Sequence, residues 1–283
     1  MWKLPKPEQT AEDVFTTTIS KVANEDLKQR LVSVTAAIVG ASIEFDDAAS
    51  NNEIHTIAPS ANIDGIVTVK EMSRVYTGRL AAKGTPGRTV YDELMAAPKH
   101  GRCPLCGQHV VSTLDHYLPK TQFPALAVAP WNLIPACHDC NKAKSDVRPL
   151  TASEETIHPY YDDIEGEPWL VAEVVEGTPA ALRFLVSPPA GWSEILTSRV
   201  QRQFKMLNLA SRYAAKAAQE LTELSDLMNT NYADGGADDV RSLLQSTANS
   251  CRLVNVNGWR TASYQALADS DWYCRGGFAA GVA

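Results

Sequence analysis

The sequence lacks a long uninterrupted apolar segment. Its most apolar stretch, Leu31 to Ile43, is interrupted by two serines, a threonine and a glycine. A membrane-spanning helix needs roughly 20 predominantly apolar residues, so no membrane partner is expected. Residues 1–7 also lack the apolar core of a secretory signal peptide.

Cysteines are few, with six in 283 residues. That number does not suit a disulfide-stabilised scaffold in a chain of this length. Four of the six form two Cys-x-x-Cys pairs, which is a metal-binding pattern. The other two, Cys251 and Cys274, are expected to be free thiols, as in a reducing compartment, and we predict a cytoplasmic protein.

An excess of positive charge is also missing. The chain has 26 Lys and Arg against 33 Asp and Glu, a net charge of −7, which argues against a protein that coats nucleic acid through bulk charge. Between Lys70 and Arg148, however, eleven basic and six acidic residues give +5, and the remainder is −12. A local site for a polyanion would fit this division, although such asymmetries also arise without function.

Apolar periodicity and capping signals predict a mainly helical protein. A loose tail is expected at residues 1–9. Helices are predicted at residues 10–19, 24–49, 69–82, 89–97, 198–228, 240–253 and 261–267. Two strands are predicted at residues 169–175 and 182–186, joined by a turn that contains Gly177 and Pro179.

The two cysteine pairs are separated by a spacing that suits one shared metal. Each pair can place two thiolates at adjacent corners of a tetrahedron, and together they complete a closed four-sulfur Zn²⁺ site. Such a site has no open position, so the zinc is expected to be structural. Four unrelated buried thiols, a redox dithiol and substitution of one thiolate by His138 are the alternatives. The predicted ligands are Cys103, Cys106, Cys137 and Cys140.

Between and beside these pairs lie further ordered motifs. The chain contains Asp115-His116-x-x-Pro119, then Asn132-Leu133, and Asn141-x-x-Lys144 directly after the second pair. With the cysteines, this order over about residues 100–150 resembles the HNH endonucleases, the ββα-metal or His-Me finger family, in the subgroup stapled by four cysteines. The resemblance implies an α+β protein with a central zinc-bound ββα-metal finger and a small β-hairpin after it.

The change in composition at residues 100–165, which are rich in Cys, His, Pro and Asn, divides the chain into three predicted regions. An N-terminal helical arm would span residues 1–98, and the HNH nuclease module residues 99–165. A β-hairpin and a C-terminal helical region would span residues 166–283.

The same resemblance assigns chemical roles. His116 would be the general base, Asp115 and Asn141 the ligands of a catalytic Mg²⁺ or Mn²⁺, and Asn132 the residue that braces the loop and orients His116. Phosphodiester hydrolysis needs such a base and cation. Asn141 departs from the histidine often found in the family, but an amide oxygen suits a hard cation. Plainer alternatives are a hydrogen-bonded buried His116, a turn-capping Asp115 and a structural Asn132.

Several nearby residues are candidates for binding nucleic acid. They are Lys120, Lys142, Lys144 and Arg88, each of which could equally be a solvated surface side chain. His158 is a further candidate for approaching the scissile phosphate, with a structural turn as its alternative.

These expectations define a metal-dependent endonuclease that acts on DNA. The resemblance implies a role in bacterial defence or restriction of foreign DNA. Proteins of this family often act with an ATPase, so an ATPase partner is expected. A homo-oligomer is expected if both DNA strands are cut. A zinc-ribbon module that binds without cutting, and an RNA-cleaving toxin-like nuclease, are the alternatives.

Overall fold

Helices dominate both halves of the chain, and short antiparallel hairpins lie between them. The structure, a computed structural model, describes residues 1–279. It consists of two units, one formed by Trp2–Asp163 and the other by Met1 with Ile164–Ala283. The mainly helical α+β class predicted from the sequence is therefore confirmed. Within the described residues, no helix combines the length and hydrophobicity needed to cross a membrane.

The first unit begins with three helices, α1 (Ala11–Ile19), α2 (Glu25–Ser33) and α3 (Thr35–Asn51). A capping box between Thr10 and Asp13 starts α1, as the sequence predicts. The single helix expected at residues 24–49 is instead two helices, which is a correction. Val34 leaves the helical conformation at φ −96° and ψ 5° and is fully buried. The apolar periodicity continues across this break, so the sequence pattern conceals it.

A small hairpin of β1 (Asn62–Ile63) and β2 (Val67–Thr68) precedes α4 (Val69–Val75). Thr68 and Glu71 form the capping box that starts α4. A π-helical turn, Tyr76–Leu80, extends this helix, and the Ala81 amide donates to the Tyr76 carbonyl at 2.9 Å. Helix α5 (Arg88–Ala96) follows the turn at residues 84–87.

The central part of this unit is a ββα arrangement. Strand β3 (Thr113–His116) pairs antiparallel with β4 (Leu133–Ala136), with Asp115 opposite Ile134 and His116 opposite Leu133. Helix α6 (His138–Lys144) follows β4 directly and packs against β3. Both cysteine pairs flank this hairpin in sequence, so the candidate site is built on it.

The first residues are not the loose tail that the sequence suggests. The Trp2 amide donates to the Pro104 carbonyl at 2.9 Å, within the first cysteine pair, and the Leu4 amide donates to the Pro159 carbonyl at 2.8 Å. Leu4 is buried. Two prolines made this stretch look unstructured, but backbone hydrogen bonds and an apolar anchor fix an extended segment without any periodic pattern.

The second unit contains the predicted hairpin, β5 (Leu170–Val175) and β6 (Ala181–Val186), followed by α7 (Glu194–Met206) and α8 (Leu209–Val254). The helix predicted at residues 198–228 is interrupted, because Asn208 adopts a left-handed conformation with φ 50°, which asparagine tolerates. The helix predicted at residues 240–253 belongs to α8, across a kink at Gly236. Helices α9 (Trp259–Asp269) and α10 (Asp271–Cys274) complete the unit.

Candidate metal centre and active site

The four paired cysteines converge in the first unit. Their sulfur atoms all lie within 4.8 Å of one another and all four residues are buried. The Sγ atoms of Cys106 and Cys137 are 3.9 Å apart. A tetrahedral zinc with Zn–S distances of about 2.3 Å places its sulfurs about 3.8 Å apart. The donor set and its spacing therefore fit a structural zinc ion.

Local backbone geometry shapes each half of this cluster. Gly107 has φ +68°, a conformation that glycine adopts readily, and its amide donates to the Cys103 carbonyl at 2.7 Å. In the second half, Cys137 caps α6, and its sulfur accepts from the Cys140 amide at 3.5 Å. His138, the alternative ligand, is exposed and is not part of the cluster.

Asp115 lies buried near the end of β3, 4% exposed. Its Oδ2 forms an ion pair at 3.3 Å with the ammonium of Lys144, which is also buried, but makes no hydrogen bond with the described residues. Burial raises the pKa of the Asp115 carboxyl, and the Lys144 charge opposes that rise. A buried carboxylate oxygen with remaining acceptor capacity fits a hard divalent cation.

Lys144 is not the solvated surface side chain that was its alternative. It is buried, and its Nζ donates to the His116 carbonyl at 2.6 Å inside the protein. Lys144 is at the C-terminal end of α6, and the packing of that helix on β3 directs it inward. Lys144 therefore connects α6 to β3 through Asp115 and His116.

His116 is the last residue of β3, and its ring is held from one nitrogen. Nε2 lies 2.9 Å from the carbonyl oxygen of Ala127 in the β3–β4 loop. A carbonyl only accepts, so Nε2 carries the proton and Nδ1 keeps its lone pair. Nδ1 has no hydrogen-bond partner among the described residues. Burial, and then the charge of Lys120, lower the pKa of His116 to about 3, so the imidazole is neutral at pH 7.

Asn132 is fully buried and connects the two sides of the β3–β4 loop. Its Oδ1 accepts from the Leu118 amide at 2.7 Å, and its Nδ2 donates to the carbonyls of Leu118 at 3.0 Å and Leu126 at 3.1 Å. Ala127, which holds His116, follows Leu126 directly. Asn132 thus fixes the loop segment that orients the imidazole.

Asn141 lies in α6, immediately after the last cysteine, and is half-buried. Residues three apart on a helix share a face, so Asn141 and Lys144 lie on the same side of α6. Because Lys144 reaches Asp115 and His116, this is the side of the helix that faces the end of β3. The Asn141 amide makes no side-chain hydrogen bond with the described residues, so its oxygen is a candidate ligand on this face of α6.

The remaining basic candidates differ in their surroundings. Lys142 is exposed on α6. The Lys120 ammonium lies 5.3 Å from the centre of the Tyr76 ring. Arg88 bonds to Asp92 at 2.8 Å and lies over the Tyr91 ring, so it is largely engaged within its own helix. Lys120 and Lys142 are therefore the better placed of these candidates to meet a polyanion.

His158 is 1% exposed. Its ring packs against Phe45, Tyr117 and Tyr161, with ring centres 4.7–5.9 Å apart, and its carbonyl accepts from the amides of Tyr161 and Asp162 in a turn. This enclosed position in a turn fits the structural alternative considered for His158.

One neighbour of the site lies outside the motifs that suggested the resemblance. Tyr76, from the π-helical turn, packs edge-on against His116 with ring centres 4.4 Å apart. The sequence pattern does not single out His116 as its partner, since that contact joins distant parts of the chain.

The sequence is similar to a protein of a bacteriophage. The chain is 28% identical to Protein ea31 of Escherichia phage lambda over an alignment of 296 residues, which covers 98% of this chain and 100% of that protein. No family model matches the sequence. No solved structure matches it either.

Proposed function

We propose that this protein is a metal-dependent endonuclease that hydrolyses phosphodiester bonds in DNA. The observation that carries the proposal is the state of His116, whose Nε2–H is committed to Ala127 and whose Nδ1 lone pair remains. A buried carboxylate, Asp115, is its neighbour on a cysteine-flanked ββα unit. A neutral imidazole beside a cation-binding carboxylate suits activation of water for attack on phosphorus.

The proposed mechanism assigns one task to each side chain. Nδ1 of His116 accepts a proton from the attacking water, while Ala127 holds the ring from the opposite nitrogen. Asp115 and Asn141 would hold Mg²⁺ or Mn²⁺, which when bound stabilises negative charge on the phosphate and the leaving oxygen. Lys120 and Lys142 would neutralise flanking phosphates. A structural zinc bound by the four thiolates would hold α6 in a fixed position against β3.

A cleavage assay tests this proposal. Purified zinc-loaded protein should nick or linearise circular DNA with Mg²⁺ or Mn²⁺, and removal of the magnesium should stop the reaction while the circular dichroism stays unchanged. His116→Ala should lose at least about 100-fold in rate, as expected for a general base. His100→Ala, an exposed histidine of the same region, is the matched control and should cleave normally.

Two results would redirect the proposal. Binding of DNA without cleavage under any divalent cation would favour a zinc-ribbon module, and faster digestion of RNA than of DNA would favour a ribonuclease. The defence role and the ATPase partner stay predictions, because no described residue bears on them.

A further inference from the structure

We propose that Tyr76 is a positioning residue for His116, so that the N-terminal helical arm (residues 1–98) completes the active site. This inference rests on the proposed nuclease function and adds a residue outside the motifs that suggested it. Tyr76 touches β3 at two points. Its ring packs on the His116 imidazole with centres 4.4 Å apart and planes at 68°, and its hydroxyl donates to the Leu114 carbonyl at 3.1 Å.

The two contacts constrain different motions. A hydrogen bond from Nε2 to Ala127 fixes one end of the imidazole but leaves the ring free to rotate about that bond. An aromatic ring packed edge-on against the imidazole opposes that rotation. Together they set the direction in which the Nδ1 lone pair points, which is the property that a general base must have fixed.

The backbone around Tyr76 explains how it reaches this place. The capping box of Thr68 and Glu71 fixes the start of α4, and Arg30 of α2 bonds to Glu71 at 2.7 Å. At the other end, α4 widens into the π-helical turn that begins at Tyr76. Such turns occur often at functional sites. Tyr76 is buried, and burial raises the pKa of its hydroxyl, which keeps it a hydrogen-bond donor.

Kinetics of the full-length protein with a plasmid substrate test the proposal. Tyr76→Leu removes the ring and should lower kcat about 10- to 100-fold with KM for DNA nearly unchanged, since a small misplacement of a catalytic group has effects of that size. Tyr76→Phe keeps the ring and should restore kcat to within about threefold. Tyr76→Met, with an unbranched and more adaptable side chain of similar volume, is for use if the leucine variant loses its zinc or its helical content.

Tyr160→Phe is the matched control. Tyr160 is also buried, and its hydroxyl donates to the Leu133 carbonyl of β4 at 2.8 Å, but its ring packs on His158. This variant loses an equivalent hydrogen bond to the same sheet without touching the His116 ring. Its kcat should equal that of the unaltered protein even if its melting temperature falls.

Nitrogen NMR of the histidine rings gives a readout that needs no activity. The unaltered protein should show His116 as a single Nε2–H tautomer with sharp ring signals, and Tyr76→Leu should keep that tautomer, because the bond to Ala127 remains, but broaden the signals through motion of the ring. Unchanged kcat in Tyr76→Leu and Tyr76→Met, with His116 ring signals as sharp as those of the unaltered protein, would overturn the positioning role alone. A wild-type protein that cleaves no nucleic acid would instead overturn the proposed function, and this inference with it.

Discussion

Replacement of Asn132 by alanine should destabilise the first unit and loosen the loop that holds His116. The side chain makes three hydrogen bonds of 2.7, 3.0 and 3.1 Å to the backbone of Leu118 and Leu126. Both leucines are almost completely buried, so water cannot easily replace the lost partners. With a net value of about 1 kcal/mol for each bond, and a larger penalty for buried groups left unpaired, the loss should be about 3–5 kcal/mol.

Two measurements check this value. Urea denaturation of the zinc-loaded protein reports the free energy of unfolding, and hydrogen exchange reports the Leu118 amide, whose hydrogen bond ends on Asn132. Exchange at Leu118 should accelerate strongly in Asn132→Ala. The control is Asn141→Ala, a half-buried asparagine on α6, which should abolish activity but cost less than about 1 kcal/mol.

Two results for Asn132→Ala would contradict its role as a brace of the loop. If Asn132→Ala unfolds within about 1 kcal/mol of the unaltered protein, or if the Leu118 amide keeps its protection, then Asn132 does not brace the loop. Stability losses of equal size in both asparagine variants would also contradict the distinction between a brace and a metal ligand.

Three further predictions concern metal, pH and charge. Strong chelation or Cys137→Ser should unfold the first unit, because zinc binding and folding are coupled, and an unchanged melting curve would exclude a structural ion. Hydrogen bonds from Arg30, and then from the Thr68 backbone, lower the pKa of Glu71 to about 2 from its ordinary 4.5. The stability that this shift contributes is present above pH 4.5 and is lost as the pH falls towards 2. Glu71→Gln should therefore make the free energy of unfolding less dependent on pH in this range. Lys144→Met should cost about 3–5 kcal/mol by leaving the buried Asp115 carboxyl without its cation, and adding Asp115→Asn should recover part of that loss; no recovery would mean that the ion pair is not the cause.

Much of the fold could be predicted because its signals are local. The capping boxes at Thr10 and Thr68 lie within four residues of sequence, and they start helices where expected. The hairpin of β5 and β6 follows from apolar strands around a Gly and Pro turn. Cysteine pairing predicted a cluster that the structure brings together, since each pair needs only a tight turn to present two sulfurs.

Features that depend on contacts between distant residues could not be predicted from local sequence patterns. The break at Val34 leaves the apolar periodicity intact, and the extended tail at Leu4 has no periodicity at all. Lys144 looked like one more surface lysine, because its burial depends on how α6 packs on β3. The contact of Tyr76 with His116 joins two residues far apart in the chain, which no local pattern predicts.

The distribution of buried polar groups favours a chemical role for the end of β3. Asp115, His116 and Lys144 are all buried there, although a buried ion pair is often no more stabilising than apolar residues of similar volume. Apolar side chains would have served a purely structural strand at least as well. The supports around this strand end, the Asn132 brace and the Tyr76 ring, act on His116 or on the loop that holds it. The convergence of these contacts on one imidazole supports the proposal that this imidazole is the reactive group.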